Sequence, residues 1–258
     1  MNPTRAAVVI SIGLFFGILI CLEIGYRVGR RNSVNHPEWA HEGIGVIEAA
    51  VFALLGLLLA FSFAGATSRL DAKRQLIVQE ANAIGTAYLR LDVLPIDGQP
   101  EMRHLFRDYL EARLRVYEKL PNLKAAEQEL VRVAELQGEI WSGAAATSRN
   151  DPTQNTARLL LPAINEMIDV TTARTIAIHT QLPFLIFVLL AGVALISGLL
   201  AGYAMSKREK RSLLHMVLYA AVIAVTVYVV LDLEYPRFGL IRLDAADKAL
   251  LQLRNSIR

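Results

Sequence analysis

Four stretches of the chain are long and apolar enough to cross a bilayer, and this limits the fold more than any other feature. They run from about Ala6 to Tyr26, Ile44 to Ala66, Leu182 to Met205 and Leu213 to Leu231. A hydrocarbon core about 30 Å thick needs roughly 20 residues of helix. Backbone polar groups in lipid must be satisfied within the segment, and no run alternates with period two for long enough to make a sheet. The third and fourth windows hold no charged residue, His215 aside, and the first two hold one glutamate each, Glu23 and Glu48. Four buried helices of a soluble protein would need far more surrounding chain than these 258 residues provide. The expected fold class is an all-α integral membrane protein with four transmembrane helices.

Composition agrees once it is read by block. Charged residues make up 20% and apolar ones 54%, against about 25% charged in an average soluble domain, and the two kinds are segregated along the chain. A net charge of +3 is too small to argue for a nucleic-acid partner. Cys21 is the only cysteine, which excludes an intrachain disulfide and a cysteine-based metal site. The first window ends in YRVGRR with no small-x-small cleavage site, so it reads as a retained anchor.

The expected organisation is residues 1–68 for spans one and two, 69–180 for an extramembrane helical domain continuous with span two, 181–234 for spans three and four, and 235–258 for a tail. No proline interrupts the second helix before Pro95, so it should run from about Gly43 to Leu94. Leu70, Ile77, Ile84 and Leu91 recur every seven residues on its aqueous part, a seam that packs against another helix. Further helices are expected over 101–120, over 122–145 with Asn122 as cap, and from Pro152 to about Thr180 with Asp151 as cap. A last short amphipathic helix starts near Asp244.

Orientation follows Lys and Arg in short loops. Arg27, Arg30 and Arg31 lie in the loop between spans one and two, and Lys207, Arg208, Lys210 and Arg211 in the loop between spans three and four. Their density leans towards a cytoplasmic side for these loops and an extracytoplasmic side for the helical domain.

Glu48 is the sharpest candidate. An acid within a span costs roughly 2.5–3.5 kcal/mol at the helix centre, so it usually faces a bundle interior or water. Glu48, Phe52, Leu55, Leu59, Ser62 and Arg69 fall on one helical stripe. A ring of such stripes would make a pore with charged mouths and a hydrophobic neck at Leu55 and Leu59. The same stripe can equally pack on neighbouring spans, with Glu48 snorkelling to the interface. Small residues mark helix contacts: Gly13 and Gly17 in the first span, Gly56, Ala60 and Ala64 in the second, and Gly198 and Gly202 in the third. Asn82 and Gly85 are weak helix formers that point to a close crossing. Glu23, Asp232 and Glu234 read as span ends near water. His36, Glu38, His41 and Glu42 are zinc-type ligands at a spacing that matches no established site, so no metal and no cofactor is expected. No catalytic or nucleotide-binding motif is present, and nothing points to an enzyme.

The segment GLLLAFSFAGATSRLDAKRQLIVQEANAIGTAYLRLDVLP, with DLEYPRFGLIRLD near the end, resembles a bacterial family of membrane proteins known as bestrophin-like. The resemblance implies the plan of bestrophins, which are pentameric anion channels with four spans per subunit and a pore lined by the second span. The bestrophin pore and calcium-clasp motifs are not found in this chain. Bestrophins also keep both termini cytoplasmic, against the charge bias here. The function expected is therefore a homo-oligomeric ion channel in a bacterial inner membrane, with lipid and inorganic ions as its partners. The alternative is a membrane-anchored scaffold or sensor whose helical domain binds a partner.

Overall fold

The computed structural model describes residues 3–35, 44–119, 122–152, 154–180, 182–206, 213–236, 239–241 and 244–257. The cluster of His36, Glu38, His41 and Glu42 and the basic loop from Lys207 to Arg211 lie outside these residues. The helices are α1 (Pro3–Asn35), α2 (Ile44–Leu89), α3 (Gln99–Glu118), α4 (Leu123–Arg149), α5 (Leu161–His179), α6 (Phe184–Met205), α7 (Leu213–Glu234) and α8 (Asp244–Ser256). The described residues contain no strand. Four helices, α1, α2, α6 and α7, are long and apolar enough to span a membrane. The protein is an all-α membrane protein.

The chain divides into two compact units, residues 1–70 with 181–241, and residues 71–180 with 242–258. The short C-terminal helix α8 thus belongs with the aqueous helices, although the sequence treats it as a separate tail.

In the first unit α1 and α6 cross most closely. A Cβ on Gly202 would lie 2.0 Å from the carbonyl oxygen of Leu22, and one on Gly25 would lie 2.0 Å from that of Leu199. Gly198 meets Ile18, and Gly29 meets Tyr203 and Ser206. The contact positions rise together along both helices, so α1 and α6 run parallel. In lipid no hydrophobic force drives helices together, and close backbone approach at small residues supplies the attraction. Gly17, Gly198 and Gly202 serve this contact as the sequence suggests, with Gly17 3.0 Å from Leu195 at its missing Cβ. Gly13 and Gly56 do not, since nothing lies within 4 Å of a Cβ at either position. The contact continues instead through Gly25 and Gly29, about two turns further along α1 than Gly17. Gly202→Ala should therefore lower stability in detergent by about 2 kcal/mol, in the range of overpacked interiors. Gly56→Ala should change it by less than about 0.5 kcal/mol. Equal melting temperatures for the two variants would refute this account of the crossing.

In the second unit the expected seam is buried: Leu70, which ends the first unit, is 3% exposed, Ile77 1%, Ile84 0% and Leu91 0%. α3 adds Phe106, Tyr109 and Leu110, α4 adds Leu136, Ile140 and Ala144, and α5 adds Ile164 and Met167. Gly85 admits Leu253 of α8, whose Cδ1 would be 3.2 Å from a Cβ there. Asn122 caps α4 by accepting the Ala125 N–H at 3.3 Å. Asp151 also caps, but not where Pro152 places the helix start. Its carboxylate accepts the Thr156 N–H at 2.8 Å, and the chain enters α5 through a π-turn over Thr156–Leu160. Gln154 precedes that turn with φ at 57°, and the loop absorbs residues that the pattern assigns to helix.

Candidate functional site

The apolar part of α2 carries no strong preference for one face in its sequence, so packing decides which side turns inward. Leu55 and Ser62 are each 4% exposed. Leu55, with Leu58, Leu59 and Val51, packs into the core that α1, α6 and α7 form. Phe52 meets Tyr219 of α7 edge to face at 6.3 Å, and Tyr219 donates to Ser197 of α6 at 2.7 Å. Glu48 is half-buried, and its Oε1 has no hydrogen-bond partner among the described residues. The stripe expected to face a pore is thus the packing face of α2 within its own protomer. A neighbouring face, about a third of a turn round the helix, is open: Gly45, Ala49, Ala53, Gly56, Ala60 and Ala64 follow one another at spacings of three and four, and all but Gly56 and Gly45 carry only a methyl group.

Arg69, the last residue of the expected stripe, is engaged elsewhere. Its guanidinium binds the Glu234 carboxylate through two nitrogens, with Nε at 2.9 Å. The arginine folds back over Gly65, where a Cβ would lie 3.2 Å from its Nη1. Glu234 is 2% exposed and also accepts the Leu182 N–H at 3.3 Å. Two residues earlier, Asp232 accepts the N–H groups of Leu240 and Ile241 at 3.0 Å. Gly239 is required there, because a Cβ would sit 1.8 Å from Asp232 Oδ1. Asp232 and Glu234 are therefore buried ties at the end of α7, and not acids placed in water as the sequence suggests. Glu23 is the exception, pairing with Arg27 at 2.7 Å one turn along α1.

The second unit holds a buried charge cluster that the sequence does not announce. Glu80 of α2 is 0% exposed, Arg113 of α3 0% and Arg174 of α5 3%. Both arginines bind the Glu80 carboxylate, Arg113 on Oε1 and Arg174 on Oε2. Tyr117 stacks under both, with its ring centroid 4.0 Å from the Arg174 guanidinium and 5.4 Å from that of Arg113. Its hydroxyl accepts from Arg113 at 2.6 Å. The Thr171 hydroxyl lies 3.3 Å from Glu80 and 2.7 Å from the Tyr109 hydroxyl. Burial alone would push the Glu80 carboxyl up, but the two guanidiniums outweigh it and hold the group below its ordinary range.

The seam explains how the charges arrive there. Glu80 sits three residues past Ile77 in the heptad, at the second apolar position. Arg174 follows Leu160, Ile164, Met167 and Thr171 at the same alternation of threes and fours, and Arg113 follows Phe106 and Tyr109. α2, α3 and α5 therefore each bring one residue of the cluster to a core built mostly of apolar side chains. A charge at a seam position was the readable signal.

Residues 19–246 match the Bestrophin-like domain family. The chain belongs to that family. The matched span contains Arg69, Glu80, Arg113, Arg174, Asp232 and Glu234, so it takes in both clusters. No match was found among curated proteins or among solved structures.

Proposed function

We propose that the protein is a homo-oligomeric ion channel whose conduction path is lined by α2. Membership of the Bestrophin-like family supports a channel, since bestrophins conduct anions through an axis lined by the second span. The observation that carries the reading is the open face of α2. A row of glycines and alanines lies along a span that has turned its bulky stripe inward. Copies arranged about an axis through this face can approach closely and still leave room for water. Leu57 and Phe61, 51% and 67% exposed, flank the row and would form the dewetting constriction in place of Leu55 and Leu59. Assembly in the manner of bestrophins gives five subunits. In this reading the host is a bacterial plasma membrane, and the Lys and Arg bias of the loops sets the helical unit outside the cytoplasm.

Cysteine accessibility tests the lining face. In a Cys21→Ala background, purified protein in planar bilayers should pass current. A charged thiol reagent should block Ala53→Cys by more than half and leave Leu55→Cys unchanged. The reverse pattern would reassign the pore to the Glu48 stripe. Wild-type silence over a range of salts and voltages, with an intact oligomer, would overturn conduction and favour the scaffold or sensor.

A further inference from the structure

Leu253 accounts for Gly85 in the aqueous half of α2, but Asn82, also a weak helix former, faces outward and is exposed. From Gln75 to the end of the helix the exposed residues are Gln75, Val78, Gln79, Asn82, Thr86 and Leu89, and none carries a charge. The outward faces of the neighbouring helices differ. α3 exposes Glu101, Arg107 and Glu118, and α4 exposes Lys124, Glu127, Arg132 and Glu135. Gln75, Val78, Asn82 and Leu89 also keep the spacing of a coiled-coil seam. At 3.6 residues per turn their mean direction lies about 160° round the helix from that of Ile77, Glu80, Ile84 and Leu91. The aqueous half of α2 therefore carries a second seam, turned away from the core of its own protomer. Val78 and Leu89 leave apolar side chains 45% and 70% exposed on it. α8 borders this seam at Gly85 and leaves Asn82 and Thr86 exposed.

The chemistry of the seam selects its partner. An uncharged strip offers nothing to a nucleic acid or to a charged peptide. Identical chains in register have the opposite requirement: each side chain meets its own kind, and a charge would meet a like charge. Asn and Gln meet that requirement, because each amide carries both donors and acceptors. A polar Asn at one seam position also fixes the register of parallel helices. The spans supply the same register independently. α2 is one helix from Ile44 to Leu89, and copies inserted in one membrane with one orientation bring this stretch together parallel and at equal height.

Resting on the homo-oligomer read above, we propose that residues 75–89 of α2 pack on the same stretch of a second copy of this chain, parallel and in register, with the Asn82 amides hydrogen-bonded across the contact. In native membranes and a Cys21→Ala background, a short bifunctional thiol reagent should shift more than half of Asn82→Cys to linked dimers or larger species. His104→Cys, exposed among the charges of α3, should link at least tenfold less. Val78→Cys should link as Asn82→Cys does, and adding Asn82→Glu should lower that linking several-fold, because like charges then face each other. Both positions are exposed, so these variants leave the core of the protomer intact. Adducts with a different protein, or equal linking at Asn82 and His104, would overturn the contact. Unlinked Asn82→Cys in an oligomer that native mass spectrometry shows intact would overturn the contact and leave the channel reading standing, whereas a monomer would overturn both. Linking without current over a range of salts and voltages would support the contact and overturn conduction alone.

Discussion

Glu80→Ala is expected to cost the helical unit about 3–5 kcal/mol, the largest effect of any single substitution outside the membrane. The change leaves Arg113 and Arg174, 0% and 3% exposed, facing each other with no acid between them. Arg113 would retain the Tyr117 hydroxyl, and both would retain the Tyr117 ring. Neither replaces a carboxylate that binds both guanidiniums. The penalty arises from the uncompensated buried charge and not from the net worth of the ion pairs. The triple variant Glu80→Leu, Arg113→Met, Arg174→Met should therefore recover most of the loss, as apolar replacement of a buried charge triad often does. Hydrogen exchange of α3 and α5 in the full-length protein reads the effect directly. A loss under about 1 kcal/mol would show that water reaches the cluster. The pH dependence has a definite sign. The Glu80 carboxyl titrates below its ordinary value in the folded protein. Its contribution is fully present above the unfolded value of about 4.3 and disappears as pH falls through the folded one. Protection of the helical unit should fall in acid below about pH 4.3 in wild type and show less of this decline in the triple variant.

The same cluster shows where sequence reading stops. The spans were legible because twenty apolar residues in a row allow few other folds. The length of α2 was legible because nothing in it breaks a helix. The seam at Leu70, Ile77, Ile84 and Leu91 was legible because helical packing imposes a period. Pairing was not legible. Glu80 lies 33 residues from Arg113 and 94 from Arg174, and a single chain carries no mark that joins such positions. What it does carry is a charge at a position that the seam reserves for apolar side chains. The face of α2 was unreadable for a different reason. A span that is apolar all round gives no periodic signal, and Glu48 drew attention to the stripe that packs inward. The small residues beside it were visible as a helix contact, but whether that contact lies within or between protomers depends on packing alone.

Arg69→Ala is expected to cost about 3 kcal/mol, placed at the lower end of the range because the arginine side chain remains 27% exposed. The cost falls on Glu234, whose side chain is 1% exposed and would lose its guanidinium partner while keeping the Leu182 N–H. Arg69→Lys should recover little, since an ammonium cannot reproduce the two-nitrogen grip on one carboxylate. Glu234→Gln keeps an acceptor for Leu182 and removes the charge. The double variant Arg69→Met, Glu234→Gln should accordingly be more stable than Arg69→Ala alone. The coupling from such a cycle should fall within about 0.5–3 kcal/mol for residues in contact, and additive losses in detergent melts would sink the assignment. The pair has a particular place in the chain. It joins SRLD of α2 to DLEYP of α7, the two segments on which the family resemblance rests, and through Leu182 it fixes the entry to α6. Three of the four spanning helices are tied at one point by a single carboxylate. If α2 lines a conduction path, its tilt is set at this tie, so Arg69→Ala should alter current at matched protein levels as well as lower stability. A variant that loses stability while keeping wild-type current would separate the structural tie from the path.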